Sequence, residues 1–569
     1  MTLLSGSGVI TVGTIGVTTP LDALSINASG SAASALTIKQ IGTFAGAAGV
    51  NGTTTIGNAS TASVDLNATQ FNFGGATTIT ASGDITTDAG ISIKTNNDLT
   101  FNPNQGASGA ALKTTGDFDI VATTSNDTVT IAGNIVGVDD TSNEDITIVA
   151  GASSGTDGGT ITLGGTVGTE IRAVTLTAGT AINLGGDITT INVTGNNVDI
   201  NGPAILTANV DIDTSLNDGS IDFSSTVNNA ASGGPFNLQL DTGSGAIGVA
   251  GVIGGSASIG TIDINQTDGA GVITLAGIGN GTTAAGNTGQ VDIGNSATAD
   301  LNLAGTFFTN GQTTYEASST AGATDENIDI TATTTFKTSD DAIIFSTAAI
   351  DIADTANLTI DTGTGAITLT DIHGDGTTDT TDLDIDGGAI SVKSIGQTGA
   401  KDEINGVDIN GSGGITLNGS IFTGGTGNNV GLTGAVALAT GDILIDTTTS
   451  NGTVTMSSTL DGTQNLDILS GTGTVTITGN IGTSNALTSL DINKTGAGNT
   501  GSIVLSGNIG TDSAAGAGAV TLGHDGLTGS ITFGSAGVAG DYNTTGDQIY
   551  EADSYVCLLY TSPSPRDLP

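Results

Sequence analysis

The chain is 569 residues long, has a formal net charge of −46, and contains 91 Gly, no Trp and only 3% aromatic residues. Such a composition lacks the aromatic side chains on which the core of an ordinary globular domain depends. With 55 acidic residues against 9 basic ones, the charge also argues against sequence-independent nucleic-acid binding and against attachment to anionic lipid, since both require Lys and Arg.

The chain starts with MTLLSGSGVITVG, which has neither the basic region nor the apolar core of a signal peptide. No segment approaches the ~20 apolar residues of a transmembrane helix, so we expect no membrane insertion. Ile, Val, Ala and Leu occur in short runs broken by Gly, Asn, Asp or Ser. This pattern is typical of many short β-strands.

A long super-repeat organises the sequence. Three segments nearly superimpose: GSGVITVGTIGVTTPLDALSIN (6–27), GSGAIGVAGVIGGSASIGTIDIN (243–265) and GTGTVTITGNIGTSNALTSLDIN (471–493). Two further pairs have a similar offset of about 230 residues: 208–228 with 441–461, and 310–317 with 545–552. The predicted divisions are therefore a partial super-repeat (1–202), a complete one (203–434), a truncated one (435–556) and a tail (557–569).

A shorter unit recurs inside the super-repeat, as in TVTIAGNI (128–135) and TVTITGNI (474–481). Because successive strand residues point to opposite faces, Val475 and Ile477 are predicted to point inward and Thr476 outward. The Gly that follows permits a corner. Strand, corner and strand, repeated along the chain, predict an all-β fold: a right-handed parallel β-helix, or β-solenoid, with coils of roughly 20–25 residues.

The alternative fold is a string of antiparallel β-sandwich domains. That architecture predicts domains of ~100 residues separated by linkers. The sequence shows no linker, and its short unit is too regular for separate domains. The solenoid is therefore the preferred prediction.

No catalytic, cofactor-binding or metal-ligating residue can be assigned from the sequence. His373 and His524 are far apart and have no Ser, Cys or second His at a recognised spacing, so we interpret them as surface-loop histidines. Without Trp, and with few basic residues, the chain lacks the usual means of holding sugars. We expect no enzyme activity, although a carbohydrate-active β-helix remains an alternative.

One acidic stretch resembles the start of a calcium-binding loop. Asp382, Asp384 and Asp386, followed by Gly387, match the opening of an EF-hand loop, but Lys393 occupies the position of the bidentate Glu. The same alternation predicts a half-buried strand with its acids outward. No cofactor is therefore assigned, and a calcium-stiffened surface-layer or matrix protein stays a further alternative.

Thr-x-Thr steps form a second surface pattern. Examples are Thr128/Thr130, Thr160/Thr162 and Thr453/Thr455. Such steps resemble the threonine ladders of ice-binding solenoids, but Thr is also favoured at exposed strand positions. Their irregular spacing in the sequence favours the second interpretation.

The repeats resemble those of large bacterial exoproteins of the filamentous haemagglutinin type. IGVTTPLDALSIN (15–27) and the segment 452–493 carry this resemblance, which extends over most of residues 1–556. It implies a secreted, extracellular protein on the bacterial cell surface that acts in adhesion or biofilm formation. The implied partners are unidentified host-cell, matrix or bacterial surface ligands, and no nucleic acid. The resemblance does not extend to the secretion domain and anchor of that family, so it predicts no secretion route.

The tail CLLYTSPSPRDLP (557–569) differs from all that precedes it and contains the only cysteine, Cys557. Its codons can spell a transposase sequencing adapter, so we expect it to be non-native. The chain is then expected to be a piece of a longer protein, of the kind assembled from an environmental sample.

A solenoid cut at both ends has bare strand edges, and end-to-end self-association is therefore predicted. Light scattering over a range of protein concentrations should show a molecular mass that rises with concentration. A strictly monomeric species at the highest concentration would contradict this prediction.

Overall fold

The computed structural model describes most of the chain. The described residues are 1–30, 34–46, 48–88, 90–103, 109–138, 143–151, 158–267, 269–281, 284–319, 327–374, 381–397, 404–424, 428–511, 514–534 and 540–557. They belong to two compact units, Met1–Ala299 (unit 1) and Asp300–Pro569 (unit 2). Of the predicted non-native tail, residues 558–569 lie outside the described residues.

Unit 1 is built from short strands and one 3-10 turn, Ser215–Asn217. Its strands are β1 (Thr2–Leu3), β2 (Ile10–Ile15), β3 (Leu24–Ile26), β4 (Ala35–Ile41), β5 (Thr54–Ile56), β6 (Ser63–Leu66), β7 (Gln70–Phe73), β8 (Thr77–Thr80), β9 (Ile85–Thr87), β10 (Ile91–Thr95), β11 (Leu99–Asn102), β12 (Ala111–Thr114), β13 (Phe118–Ala122), β14 (Thr128–Ile131), β15 (Asn134–Gly137), β16 (Glu144–Ala150), β17 (Thr160–Leu163), β18 (Val167–Gly168), β19 (Ile171–Ala178), β20 (Ala181–Leu184), β21 (Ile188–Thr189), β22 (Val198–Asn201), β23 (Ala204–Leu206), β24 (Val210–Asp213), β25 (Ile221–Phe223), β26 (Val227–Asn229), β27 (Leu238–Asp241), β28 (Ile247–Val249), β29 (Ile262–Ile264), β30 (Val272–Ile278) and β31 (Val291–Ile293).

Unit 2 has the same kind of strands. They are β32 (Asp300–Thr309), β33 (Thr313–Ala317), β34 (Ile328–Thr338), β35 (Ile343–Thr347), β36 (Ile350–Ile352), β37 (Leu358–Asp361), β38 (Ile367–Leu369), β39 (Ile372–Gly374), β40 (Asp382–Val392), β41 (Gly406–Leu417), β42 (Ile421–Phe422), β43 (Val430–Thr433), β44 (Val436–Leu438), β45 (Ile443–Asp446), β46 (Val454–Met456), β47 (Leu460–Gly462), β48 (Asn465–Leu469), β49 (Val475–Ile477), β50 (Leu487–Ile492), β51 (Ile503–Leu505), β52 (Ala517–Gly523), β53 (Ser530–Phe533), β54 (Gln548–Glu551) and β55 (Ser554–Cys557).

In unit 1 the strands stack in three columns, one for each side of the coil. Column A consists of β1, β3, β5, β8, β11, β14, β17, β20, β23 and β26. Column B contains the first part of β2 and of β4, followed by β6, β9, β12, β15, β18, β21, β24, β27, β29 and β31. Column C runs from the end of β4 through β7, β10, β13, β16, β19, β22, β25 and β28 to β30.

Unit 2 also has three columns, and some of its longer strands bend from one column into the next. Column D contains the second part of β32 and of β34, then β37, the first part of β40 and of β41, and then β43, β46, β49, β51, β53 and β55. Column E contains β33, β35, β38, the second part of β40 and of β41, β44 and β47. Column F includes β36, β39, β42, β45, β48, β50, β52 and β54.

Every named strand pair in the described residues is parallel, and neighbouring coils pair residue for residue. Antiparallel β-sandwiches need the opposite pairing, so the alternative fold was wrong and the β-solenoid is confirmed, with about 20 coils in all. The predicted range of coil lengths was too narrow. Thr162 and Asn183 on adjacent coils are 21 residues apart, whereas Asn134 and Thr166 are 32 apart, so the number of residues between aligned strands varies.

The apolar residues fill the interior as the alternation predicts. Val475 and Ile477 are fully buried, while Thr476 between them is half-buried on the outer face. Each coil buries these side chains only against the coils above and below, and each buried Val or Ile contributes about 1.5–3 kcal/mol. The stack is therefore stabilised by contacts between coils, as in other repeat proteins.

A buried Asn ends the last strand of the repeated segment in all three copies. Asn27, Asn265 and Asn493 have φ values of 49°, 49° and 50° and are at most 1% exposed. The Asn493 Oδ1 atom accepts the Ser470 backbone N–H at 2.9 Å, and its Nδ2 donates to the Ser470 hydroxyl at 3.0 Å. Asn suits this corner because it tolerates the left-handed conformation and caps backbone groups of the neighbouring coil.

The super-repeat does not return to the same side of the coil. In unit 1, the segment 6–27 begins its first strand in column B at Ile10, whereas its counterpart in 243–265 begins in column C at Ile247. In unit 2, β33 lies in column E and its repeat counterpart β54 lies in column F. Within each unit, one super-repeat therefore moves the same sequence to the next column.

We predict that Asn493→Ala weakens the local structure by about 2–4 kcal/mol, through a left-handed Ala and unpaired polar groups on Ser470. The change is local to one corner, so the measurement is amide hydrogen exchange at residues 470–473, which reports local opening. Asn485, which is exposed, provides the control: Asn485→Ala should change stability by less than about 0.5 kcal/mol. Equal protection in the two variants would contradict the capping role.

Candidate functional surfaces

The two histidines lie on widely separated coils. His373 is half-buried on β39, opposite Asp351 in the parallel register. His524 follows β52, and its Nδ1 accepts the Gly526 backbone N–H at 2.8 Å. The surface-loop interpretation was therefore wrong for His373, which belongs to a strand.

The stretch with EF-hand character forms part of a strand. Asp382, Asp384 and Asp386 belong to β40, with Leu383 and Ile385 buried between them. A strand cannot wrap its side chains around one ion as a calcium loop does. The half-buried-strand prediction is confirmed at these positions.

Neighbouring coils add further acids to this strand. Asp384 lies opposite Asp408, and Asp386 lies opposite Asp361. Burial and the charges of Asp386, Asp408 and Asp361 raise the pKa of Asp384. Among the residues that the structure describes, no group of three or more His, Cys, Asp or Glu is arranged to hold a metal ion.

A file of three aspartates and one glutamine lies on column B of unit 1. Asp211, Gln239, Asp263 and Asp292 occupy the same outward position on four successive coils, and we call them the acidic ladder. Sequence reasoning missed this ladder, because only the strand register brings these residues together.

Burial and neighbouring carboxylates perturb two members of the acidic ladder. Loss of solvent, followed by the charge of Asp241, raises the pKa of both Asp211 and Asp263 to about 6. One carboxylate oxygen each of Asp211, Asp241 and Asp263 is buried without a hydrogen-bond partner. These carboxylates therefore have fewer partners than their ionised forms need.

A shallow groove of about 550 Å³ lies beside the acidic ladder. Its lining residues are mainly carboxylates and hydroxyls: Asp213, Ser215, Asp218, Asp241, Gly243, Ser244, Thr267 and Ala270. The Asp213 carboxylate accepts the Ser215 hydroxyl at 2.6 Å, and that of Asp218 accepts the Ser244 backbone N–H at 2.7 Å. Both carboxylates therefore support turns of the chain.

Three of the described basic side chains pair with aspartates of a neighbouring coil. Lys113 contacts Asp84 at 2.6 Å and Lys337 contacts Asp361 at 3.1 Å, while Arg172 pairs with Asp145. In each pair the partners lie on or beside adjacent coils. The remaining outer surface is therefore strongly acidic over columns B and C.

Two of the three named Thr-x-Thr steps are aligned in space, whereas Thr455 of the third lies opposite Gly431 and Thr476. Thr128 lies opposite Thr160, and Thr130 lies opposite Thr162. For these two steps, spacing along the sequence was therefore a poor guide to alignment in space.

No family model, no curated protein and no solved structure matches the chain. Within the part of the chain that the structure describes, no helix is long and apolar enough to cross a membrane.

We predict that the acidic ladder makes the protein more stable at pH 5 than at pH 7. A carboxyl group whose pKa is higher in the folded state than in the unfolded state stabilises the fold when it is protonated. This contribution is complete below the unfolded pKa of ~3.9 and is lost as the pH rises through about 6. The measurement is the melting temperature at both pH values.

The Asp211→Asn/Asp263→Asn variant should melt higher than the wild type at pH 7 and show a smaller pH difference. Asp354→Asn is the control, because Asp354 is exposed and lies on another coil. A double variant with the full wild-type pH difference would contradict the assignment.

Proposed function

We propose that this chain is a repeat segment of a secreted bacterial surface protein that acts in adhesion or biofilm formation. The observation that supports this proposal most directly is the parallel stacking of coils within each unit, with apolar interiors and polar outer faces. Such stacking suits an elongated structural element, because it can be lengthened coil by coil. The role is non-catalytic and extracellular in this proposal.

The surface chemistry supports a binding role spread over wide faces. The described groove is shallow and lined by acids that serve turns, whereas small-molecule sites are usually enclosed and largely apolar. The repeat style, similar to that of filamentous haemagglutinin-type exoproteins, supports host-cell, matrix or bacterial surface ligands as partners.

The net charge of the chain also supports an extracellular surface role. A charge of −46 keeps a protein soluble and prevents non-specific contact with nucleic acid and anionic membranes. Adhesion would then depend on particular faces of the coil. The positions of those faces repeat along each unit, which favours multivalent contact with a surface.

The test measures binding of the labelled chain to bacterial cells, epithelial cells and immobilised matrix proteins. We expect saturable binding that disappears when the chain is unfolded. Ile445→Asp, at a fully buried position, should abolish binding by disrupting its coils, whereas Thr472→Asp, at an exposed position, should preserve it. Absence of saturable binding to every surface, or equal binding by the unfolded chain, would refute the proposal.

A further inference from the structure

The strands on one side of the coil in unit 1 carry no charged residue. The ten strands of column A, as the structure describes them, contain no Asp, Glu, Lys or Arg, although the chain has 55 acidic residues. Columns B and C carry charged residues on many of their strands, such as Asp65, Asp119 and Arg172. The difference separates a neutral face from an acidic remainder.

Threonines occupy the centre of this neutral face. Five successive coils place Thr at the same outward position, and the parallel register joins them in one file: Thr55, Thr78, Thr100, Thr130 and Thr162. We call this set the threonine file. Thr128 and Thr160 form a second, shorter file two residues away on the same strands.

The geometry of the threonine file is fixed by the backbone. Neighbouring strands stand about 4.8 Å apart, and alternate residues of a strand are about 6.7 Å apart. The β-branched Thr side chain has restricted χ1 freedom, so hydroxyls and methyls recur at these spacings. The result is a regular, extended array on the outer face of the coil, unlike a pocket that would enclose a small molecule.

The hydroxyls at the centre of the file are available to water. In the described residues, the side chains of Thr55, Thr78, Thr100 and Thr130 make no hydrogen bond to protein, and all four are half-buried. Thr162 accepts the Asn183 side-chain N–H at 2.9 Å. Water molecules held between successive hydroxyls would therefore be ordered with the period of the strands.

We propose that column A of unit 1 binds the surface of ice. A regular array of hydroxyls and methyls at the strand spacing is close to the repeat of oxygen rows on faces of hexagonal ice. Charged groups would impose their own hydration on that water, and the strands of column A carry none; the Asp98 carboxylate lies at the edge of the column, where it accepts the Thr128 backbone N–H at 2.8 Å. The acidic columns B and C keep the other sides of the coil in liquid water.

This inference is independent of the adhesive role proposed above. The proposed partner of the threonine file is the surface of ice. A second copy of the chain is a competing occupant, because two neutral faces could meet without charge repulsion.

The test measures thermal hysteresis and ice-recrystallisation inhibition by the purified chain, with albumin as the negative control. Thr100→Lys places a charge in the middle of the threonine file, and we expect the concentration needed for inhibition to rise about tenfold. Thr177→Lys makes the same change on the outer face of column C and should leave inhibition unchanged. Circular dichroism confirms that both variants are folded.

Thr100→Val removes one hydroxyl and preserves the shape of the side chain, so it separates loss of hydrogen bonding from simple obstruction. Wild-type activity no greater than that of albumin would overturn the proposal, as would equal losses in the Thr100 and Thr177 variants. A wild-type dimer in light scattering that dissociates in Thr100→Lys, without ice activity, would assign the face to a second copy of the chain.

Discussion

The structure depends on one constraint: a coil cannot bury its apolar side chains alone. Each coil contributes a thin layer of Ile, Val and Leu, and neighbouring coils supply the contacts that remove this layer from water. The constraint requires parallel strands in register, since a shift by one residue would turn the apolar side chains outward. The rest of the sequence must therefore maintain the register between the strands of neighbouring coils.

Residues at the corners help to maintain this register. At Asn27, Asn265 and Asn493 the chain turns through a left-handed residue whose side chain also bonds groups at neighbouring corners. Insertions elsewhere lengthen a coil without displacing its strands. The strands of such a coil can remain aligned because the extra residues lie between them.

Sequence reasoning predicted the local elements well and the surfaces poorly. The alternation around Val475 and Ile477, and the acids on either side of Leu383, were sufficient to predict inward and outward residues, because strand periodicity is a local property. The acidic ladder and the threonine file were not predictable in this way. Their members come from successive coils, and unequal corners conceal from the sequence which residues are opposite one another.

The movement of the repeated segment from one column to the next affects how such a protein could change length. Because two neighbouring sides of a coil accept the same strand sequence within each unit, unequal recombination between super-repeats would preserve the parallel pairing while rotating the inserted surface about the coil axis. Copies gained in this way would present one surface chemistry in several directions. Length variation in a gene of this kind would therefore alter the angular distribution of its outward faces as well as their number.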